Sequence, residues 1–112
     1  MQVLALRPGQ PPQPIELENS LTALQSFVGG YIEVARRFPD GACLICNEEG
    51  KLLGLSPNRY LLDARGWRYD YIAGDALICG SSGEEFTDLT PWQEKKYEAA
   101  FQDWIPEVDY AD

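Results

Sequence analysis

Apolar residues recur at two different spacings along this chain. Short runs with alternating or unbroken apolar character predict strands at residues 3–6, 15–17, 31–35, 42–46, 51–53 and 76–79. Residues 42–46 are almost wholly apolar, which favours a central strand buried on both faces. Asn47-Glu48-Glu49-Gly50 has the composition of a hairpin turn, so we expect residues 51–53 to return as the partner strand.

Helical spacing appears in two segments. Leu21, Leu24, Phe27 and Val28 follow a cap at Asn19 or Ser20, and Gly29 is placed to end that helix with a positive φ. The second helix has the strongest local signal: Thr90 as its cap, Pro91 at its first position and Gln93 placed to complete a capping box. Its apolar stripe is Tyr97, Ala100, Phe101 and Trp104, and Pro106 ends it. Residues 60–62 predict only a short helical turn.

These elements predict an α+β fold. Successive strands are too close in sequence for repeated βαβ crossovers, so we expect a mainly antiparallel curled sheet of about five strands with two helices packed on it. The length of 112 residues suits one domain. We assign residues 1–106 to that domain and residues 107–112 to a short acidic tail.

Charge is unevenly distributed. The net charge is −9, and residues 84–112 contain nine of the 18 acidic residues but two of the nine basic ones. This argues against direct binding to nucleic acid or an anionic membrane. The acidic quarter is either a solubilising surface or a mimic of a phosphate backbone, in which case Glu94, Glu98 and Asp103 are the candidate partner-binding residues.

No apolar run is long enough to span a membrane and the N-terminus lacks a secretory pattern, so we expect a cytoplasmic protein.

The residue inventory argues against catalysis. Without histidine the chain cannot form a Ser-His or Cys-His pair, and it has no phosphate-binding loop. Cys43 and Cys46 have a CxxC spacing, which is typical of half a zinc site. A complete site needs two more ligands, and the chain offers only Cys79 and no histidine. Side chains three apart on a strand point to opposite faces, so we interpret the cysteines as buried apolar thiols. We predict a protein that is not an enzyme, with no catalytic residues, metal or cofactor.

Polar residues at strand ends are the candidates for ligand binding. Arg59 is predicted either to pair with a neighbouring carboxylate or to bind an anionic, nucleotide-like ligand. The candidate ligand-binding residues are Asn47, Asn58, Arg59, Tyr60 and Asp75. Strand edges together with Trp67, Trp92 and Trp104 are compatible with a homodimer.

Over residues 1–104 the chain resembles the bacterial and phage family catalogued as domain of unknown function 3846. The resemblance depends on the opening strand with Pro8-Gly9, on LQSFVGGYIE and ACLICNEEGKLLG, on Pro57-Asn58-Arg59, and on residues 72–80. It implies no established activity. It implies a setting in phages, plasmids or integrative elements, where small acidic proteins often antagonise host defence. We therefore expect a non-enzymatic interaction module acting on a host or mobile-element protein, such as one of host defence or DNA processing, with a small-ligand binding protein as the alternative.

Overall fold

Residues 1–106 are described by a computed structural model, which contains eight strands and two helices in that range. In chain order the elements are β1 (Gln2–Leu6), β2 (Gln13–Glu16), α1 (Leu21–Val28), β3 (Ile32–Arg37), β4 (Cys43–Asn47), β5 (Pro57–Leu62), β6 (Arg68–Ala73), β7 (Ala76–Ser82), β8 (Glu85–Thr87) and α2 (Pro91–Ala100). The predicted α+β class is confirmed. The predicted acidic tail lies outside the described residues.

One antiparallel sheet forms the centre of the molecule. Its strands lie in the order β2-β1-β7-β4-β3, and β8 pairs with the end of β7. β5 and β6 form a separate two-stranded hairpin, residues 57–73, which we call the arm. The expectation of about five strands therefore describes the path through the main sheet but omits β8 and the arm.

The central strands are buried on both faces, as their apolar character predicts. In β4, Cys43 and Ile45 belong to one core cluster, whereas Leu44 and Cys46 belong to the other. Because strand side chains alternate, each face of the sheet needs its own covering layer. α1 covers the face that includes Cys43, while α2 and the base of the arm cover the opposite face.

Both helices begin as their sequences predict. The Ser20 hydroxyl accepts a hydrogen bond from the Ala23 N–H, and Gly29 ends α1 with φ of 80°. At α2, Thr90 and Gln93 form the full capping box. These ends depend on residues a few positions apart, which explains why local patterns located them.

Three local predictions are wrong. The second helix ends at Ala100 with Phe101 as its C-cap, and does not continue through Trp104 to Pro106. Residues 51–53 form a turn and not a returning strand, because the Leu53 N–H bonds to the Glu49 carbonyl and the Leu55 N–H to the Gly50 carbonyl. Residues 60–62 belong to β5 and not to a helical turn, since β5 pairs with β6 along its length. At residues 51–53 local turn hydrogen bonds replace the expected strand, whereas in β5 pairing with β6 overrides a weak helical preference.

Candidate functional site

Arg59 is the most buried charged residue of the described chain, with 1% of its surface exposed. Its Nε donates to the Phe101 carbonyl at 2.9 Å, and its Nη2 donates to the Gln10 carbonyl at 2.6 Å. Nη1 donates both to the Arg7 carbonyl at 3.0 Å and to Asn58 Oδ1 at 2.7 Å. Burial lowers the pKa of the guanidinium, and the charge of Asp103 acts in the opposite direction.

The hydrogen bonds of Arg59 join three parts of the chain that are distant in sequence. They connect β5 with the segment after β1 and with the end of α2. Asn58, also buried, donates to the Leu6 and Gly74 carbonyls at 2.8 Å each. The expected carboxylate partner of Arg59 is replaced by backbone carbonyls among the described residues, and its donors face inward. This geometry favours a structural role for Asn58 and Arg59 and does not support anion binding there.

The other three candidate ligand-binding residues lie apart from that cluster. Asn47 is buried, donates to the Val28 carbonyl at 3.1 Å and accepts from the Glu49 N–H at 2.8 Å, so it holds a turn. Tyr60 is half-buried under the Arg68 guanidinium, whose carbon is 4.0 Å from the ring centroid. Asp75 is half-buried and lines a different cleft from Asn47. The structure brings Asn58 and Arg59 together but does not assemble the five into one site.

A cleft of about 320 Å³ is lined by the turn at residues 48–52, by parts of β3 and β4, and by the arm. Lys51 and Asp70 form an ion pair at its wall, and the Lys51 ammonium lies 4.7 Å from the centre of the Tyr71 ring. The hydrogen bond between them raises the pKa of Lys51 and lowers that of Asp70. Each charge in this pair is therefore compensated by its partner.

The cleft also contains a buried cysteine, whose thiol is protonated near neutral pH. Cys46 lines the cleft, and burial followed by the nearby charge of Glu33 raises the pKa of its thiol to about 11. The thiolate is the stronger nucleophile and the metal ligand, and this thiol is mostly protonated near neutral pH. Within residues 1–106, no three Cys, Asp or Glu side chains converge in a way that could hold a metal ion.

The exposed surface of the arm has a different character. Its exposed aromatic and aliphatic side chains are Leu62, Trp67, Tyr69 and Tyr71. The Arg65 guanidinium lies 6.0 Å from the Trp67 ring centroid, and Arg68 covers Tyr60. The sequence alone does not show that these rings are exposed, because their exposure depends on how the arm packs against the main sheet.

Packing fixes the base of the arm, and hydrogen bonds within the arm fix the turn at its tip. At its base Leu61 and Ile72 belong to the core. At its tip Asp63 Oδ1 accepts from the Arg65 and Trp67 N–H groups at 2.9 and 3.0 Å, which fixes the turn. The exposed aromatic surface is therefore preorganised, which reduces the entropy that binding would cost.

The acidic residues of α2 alternate with lysines in the sequence, although Glu94 and Glu98 share one face of the helix. Glu94 and Glu98 are half-exposed and four residues apart, while Asp103 is exposed beyond the helix end. Lys95 and Lys96 lie between them in sequence, and Lys96 pairs with Asp40 at 3.3 Å. The structure thus places the three candidate partner-binding acids on and after one helix, interspersed with positive charge.

No helix within residues 1–106 has the length and apolar character needed to cross a membrane. Comparison with curated proteins gives no match, and no solved structure matches either. The family model for the Domain of unknown function (DUF3846) matches residues 1–102, which is most of the chain. The sequence motifs and this match agree, and the chain belongs to the DUF3846 family.

Proposed function

We propose that this protein is a non-enzymatic interaction module that binds a protein partner through the exposed surface of the arm. The observation that supports this most directly is the concentration of Trp67, Tyr69 and Tyr71 on one preorganised hairpin, beside two exposed arginines. Tryptophan, tyrosine and arginine are the residue types enriched at the energetic centres of protein interfaces.

Charge distribution supports the same surface. Residues 57–73 contain three arginines and two aspartates, whereas the whole chain has a net charge of −9. Because Arg59 is buried, the exposed part of the arm has two arginines and two aspartates and is close to neutral in an acidic protein. A partner that docks there meets aromatic rings and guanidinium groups without strong repulsion.

The partner class we propose is a host or mobile-element protein. Its support is the setting that the family resemblance implies, in which small acidic proteins antagonise host defence or DNA-processing proteins. A cytoplasmic location is part of the same proposal. Small-ligand binding receives no support from Arg59, whose donors point to backbone carbonyls.

A matched pair of tryptophans tests the proposal. Trp67 on the arm and Trp92 on α2 are 69% and 68% exposed, and each lies near a cation, Arg65 and Lys96 respectively. Wild-type protein, W67A and W92A would each be used to capture partners from the native host, with quantitative mass spectrometry. The partner enriched by wild type would then be purified and its affinity measured by calorimetry.

We expect W67A to weaken binding by about 2 kcal/mol, roughly thirty-fold, and W92A to leave it near the wild-type value. Equal effects of the two substitutions, or none from W67A, would refute the arm as the binding surface. A variant with Glu94, Glu98 and Asp103 all replaced by lysine tests the alternative in which these acidic residues bind the partner. Loss of binding in that variant, with W67A unaffected, would favour the acidic mimic of a phosphate backbone.

A further inference from the structure

Two of the three cysteines lie directly opposite each other at the centre of the sheet. Cys43 begins β4 and Cys79 lies within β7, and these two adjacent antiparallel strands pair Cys43 with Cys79 in register. Both side chains belong to the core cluster on the α1 face, with exposures of 1% and 0%. The CxxC spacing in the sequence draws attention to Cys43 and Cys46, but the neighbouring pair in space is a different one.

The register brings the two thiols close to bonding geometry. Directly opposed residues of antiparallel strands have Cβ atoms about 4.5–5.5 Å apart, and a disulfide needs about 3.5–4.5 Å. A small local adjustment of two strands covers that difference. Cys46 cannot compete for either partner, because its side chain lies in the core on the opposite face of the sheet.

Cys43 also has a short route to solvent. Its Sγ accepts a hydrogen bond from Arg37 Nη1 at 3.6 Å, and Arg37 is exposed. Its thiol points toward the Gly41 carbonyl, 4.0 Å away, in the turn before β4. A small reagent therefore reaches Cys43 by displacing one exposed side chain, without unfolding the core.

We propose that Cys43 and Cys79 form a reversible cross-strand disulfide when the protein meets a hydroperoxide. The Cys43 thiolate attacks one peroxide oxygen, the O–O bond breaks, and the products are a Cys43 sulfenic acid and, after proton uptake, water. The Cys79 sulfur then attacks the Cys43 sulfur, the S–O bond breaks, and the departing hydroxide takes the Cys79 proton to leave as a second water. Two thiols lose two electrons and one hydrogen peroxide is reduced to two waters.

The position of the bridge gives it a structural effect. It would join the two central strands of the sheet and close a loop that contains the whole arm, residues 57–73. A bridge across a long loop restricts the unfolded chain, so the oxidised protein should resist denaturant better than the reduced protein. A thiol reductant reverses the step by thiol–disulfide exchange.

The test uses the full chain treated with hydrogen peroxide and then analysed without reduction. We expect the intact mass to fall by about 2 Da as two thiol hydrogens are lost. Trypsin should release residues 38–51 linked to residues 69–95, since cleavage follows Arg37, Lys51, Arg68 and Lys95. The urea midpoint should rise on oxidation and return on reduction.

Because the first peptide contains both Cys43 and Cys46, C46A decides between them. The proposal requires the linkage to persist in C46A and to be absent in C79A, where a dimedone adduct should form on Cys43 instead. A linkage that disappears in C46A would overturn it. So would a wild-type protein that gains oxygen atoms, or keeps three free thiols, without any cross-link.

Discussion

Replacing Arg59 with methionine is the sharpest test of how the arm is attached to the sheet. Methionine keeps much of the volume of the side-chain stem but removes every N–H donor. The Phe101, Arg7 and Gln10 carbonyls and Asn58 Oδ1 then lose their bonds to the guanidinium. Arg59 is 1% exposed, so water replaces those donors only in part.

The four bonds allow an estimate of the cost. Each hydrogen bond contributes about 1 kcal/mol net, and a buried acceptor left without a partner costs roughly 1–3 kcal/mol. The Phe101 and Asn58 acceptors are in the buried part of the cluster, whereas the Arg7 and Gln10 carbonyls are near the surface and can turn to water. Loss of a costly buried charge offsets part of the total. We therefore expect R59M to lower the free energy of unfolding by roughly 2–4 kcal/mol.

Equilibrium unfolding in urea, followed by far-ultraviolet circular dichroism, measures this change. R65M is the matched control, because Arg65 lies on the same arm with its side chain 81% exposed, and we expect its effect to be within about 0.5 kcal/mol. Hydrogen exchange gives a local measurement. The Ile105 N–H donates to the Asn58 carbonyl at 2.9 Å, and its protection should fall in R59M.

A loss of less than about 0.5 kcal/mol in R59M would refute the structural role assigned to Arg59. R59K separates charge from geometry. Lysine keeps the positive charge but lacks the planar fork that reaches three carbonyls in different directions, so we expect it to recover less than half of the loss. Full recovery by lysine would show that charge alone is sufficient.

Two further perturbations test other parts of the fold. Asp40 accepts hydrogen bonds from the Ala42 N–H at 3.0 Å and from the Tyr97 hydroxyl at 2.8 Å. Burial alone would raise the pKa of Asp40, but these bonds and the charge of Lys96 outweigh burial. The pKa of Asp40 therefore lies below the ordinary 3.8. Its contribution to stability is complete above that value and is lost as pH falls through the lower folded pKa, so the stability advantage of wild type over D40N should shrink between about pH 5 and pH 2 in urea titrations. Gly50 is buried, and a Cβ added at this position would lie 2.5 Å from the Ala73 carbonyl oxygen. G50A should therefore destabilise the protein by about 1–3 kcal/mol in the same assay.

Each of these has an outcome that would contradict it. A difference between wild type and D40N that stays constant with pH would mean that Asp40 does not contribute through its charge. For the turn, L52A is the control, because Leu52 is 84% exposed beside Gly50 and its truncation should be nearly neutral. Equal stability of G50A and L52A would mean that the close approach of the turn to β6 is not required.

Local signals were sufficient for some elements. The caps at Ser20 and Thr90, the left-handed Gly29 and the apolar run of β4 each depend on neighbouring residues. The assignment of Cys43 and Cys46 to opposite faces also followed, since it needs only the period of a strand. The same reasoning failed at residues 51–53, where two leucines resemble a strand but are exposed in a turn.

The role of Arg59 was decided by tertiary structure. Its acceptors are carbonyls 42 to 52 residues away, and a backbone carbonyl is present at every residue, so no side-chain pattern marks them. The candidate site residues Asn47 and Tyr60 were separated for a similar reason, because β4 belongs to the main sheet and β5 to the arm, a division that depends on strand pairing.

By itself, the sequence determined the starts of both helices, the end of α1, the central strands, the α+β class and the family, because each depends on residues within a few positions or on motifs in fixed order. Tertiary structure alone decided which charges are buried, which aromatic rings stay exposed on the arm, and which cysteines face each other. Those properties depend on strand order and register, and β-sheet register is set by contacts between segments that are distant along the chain.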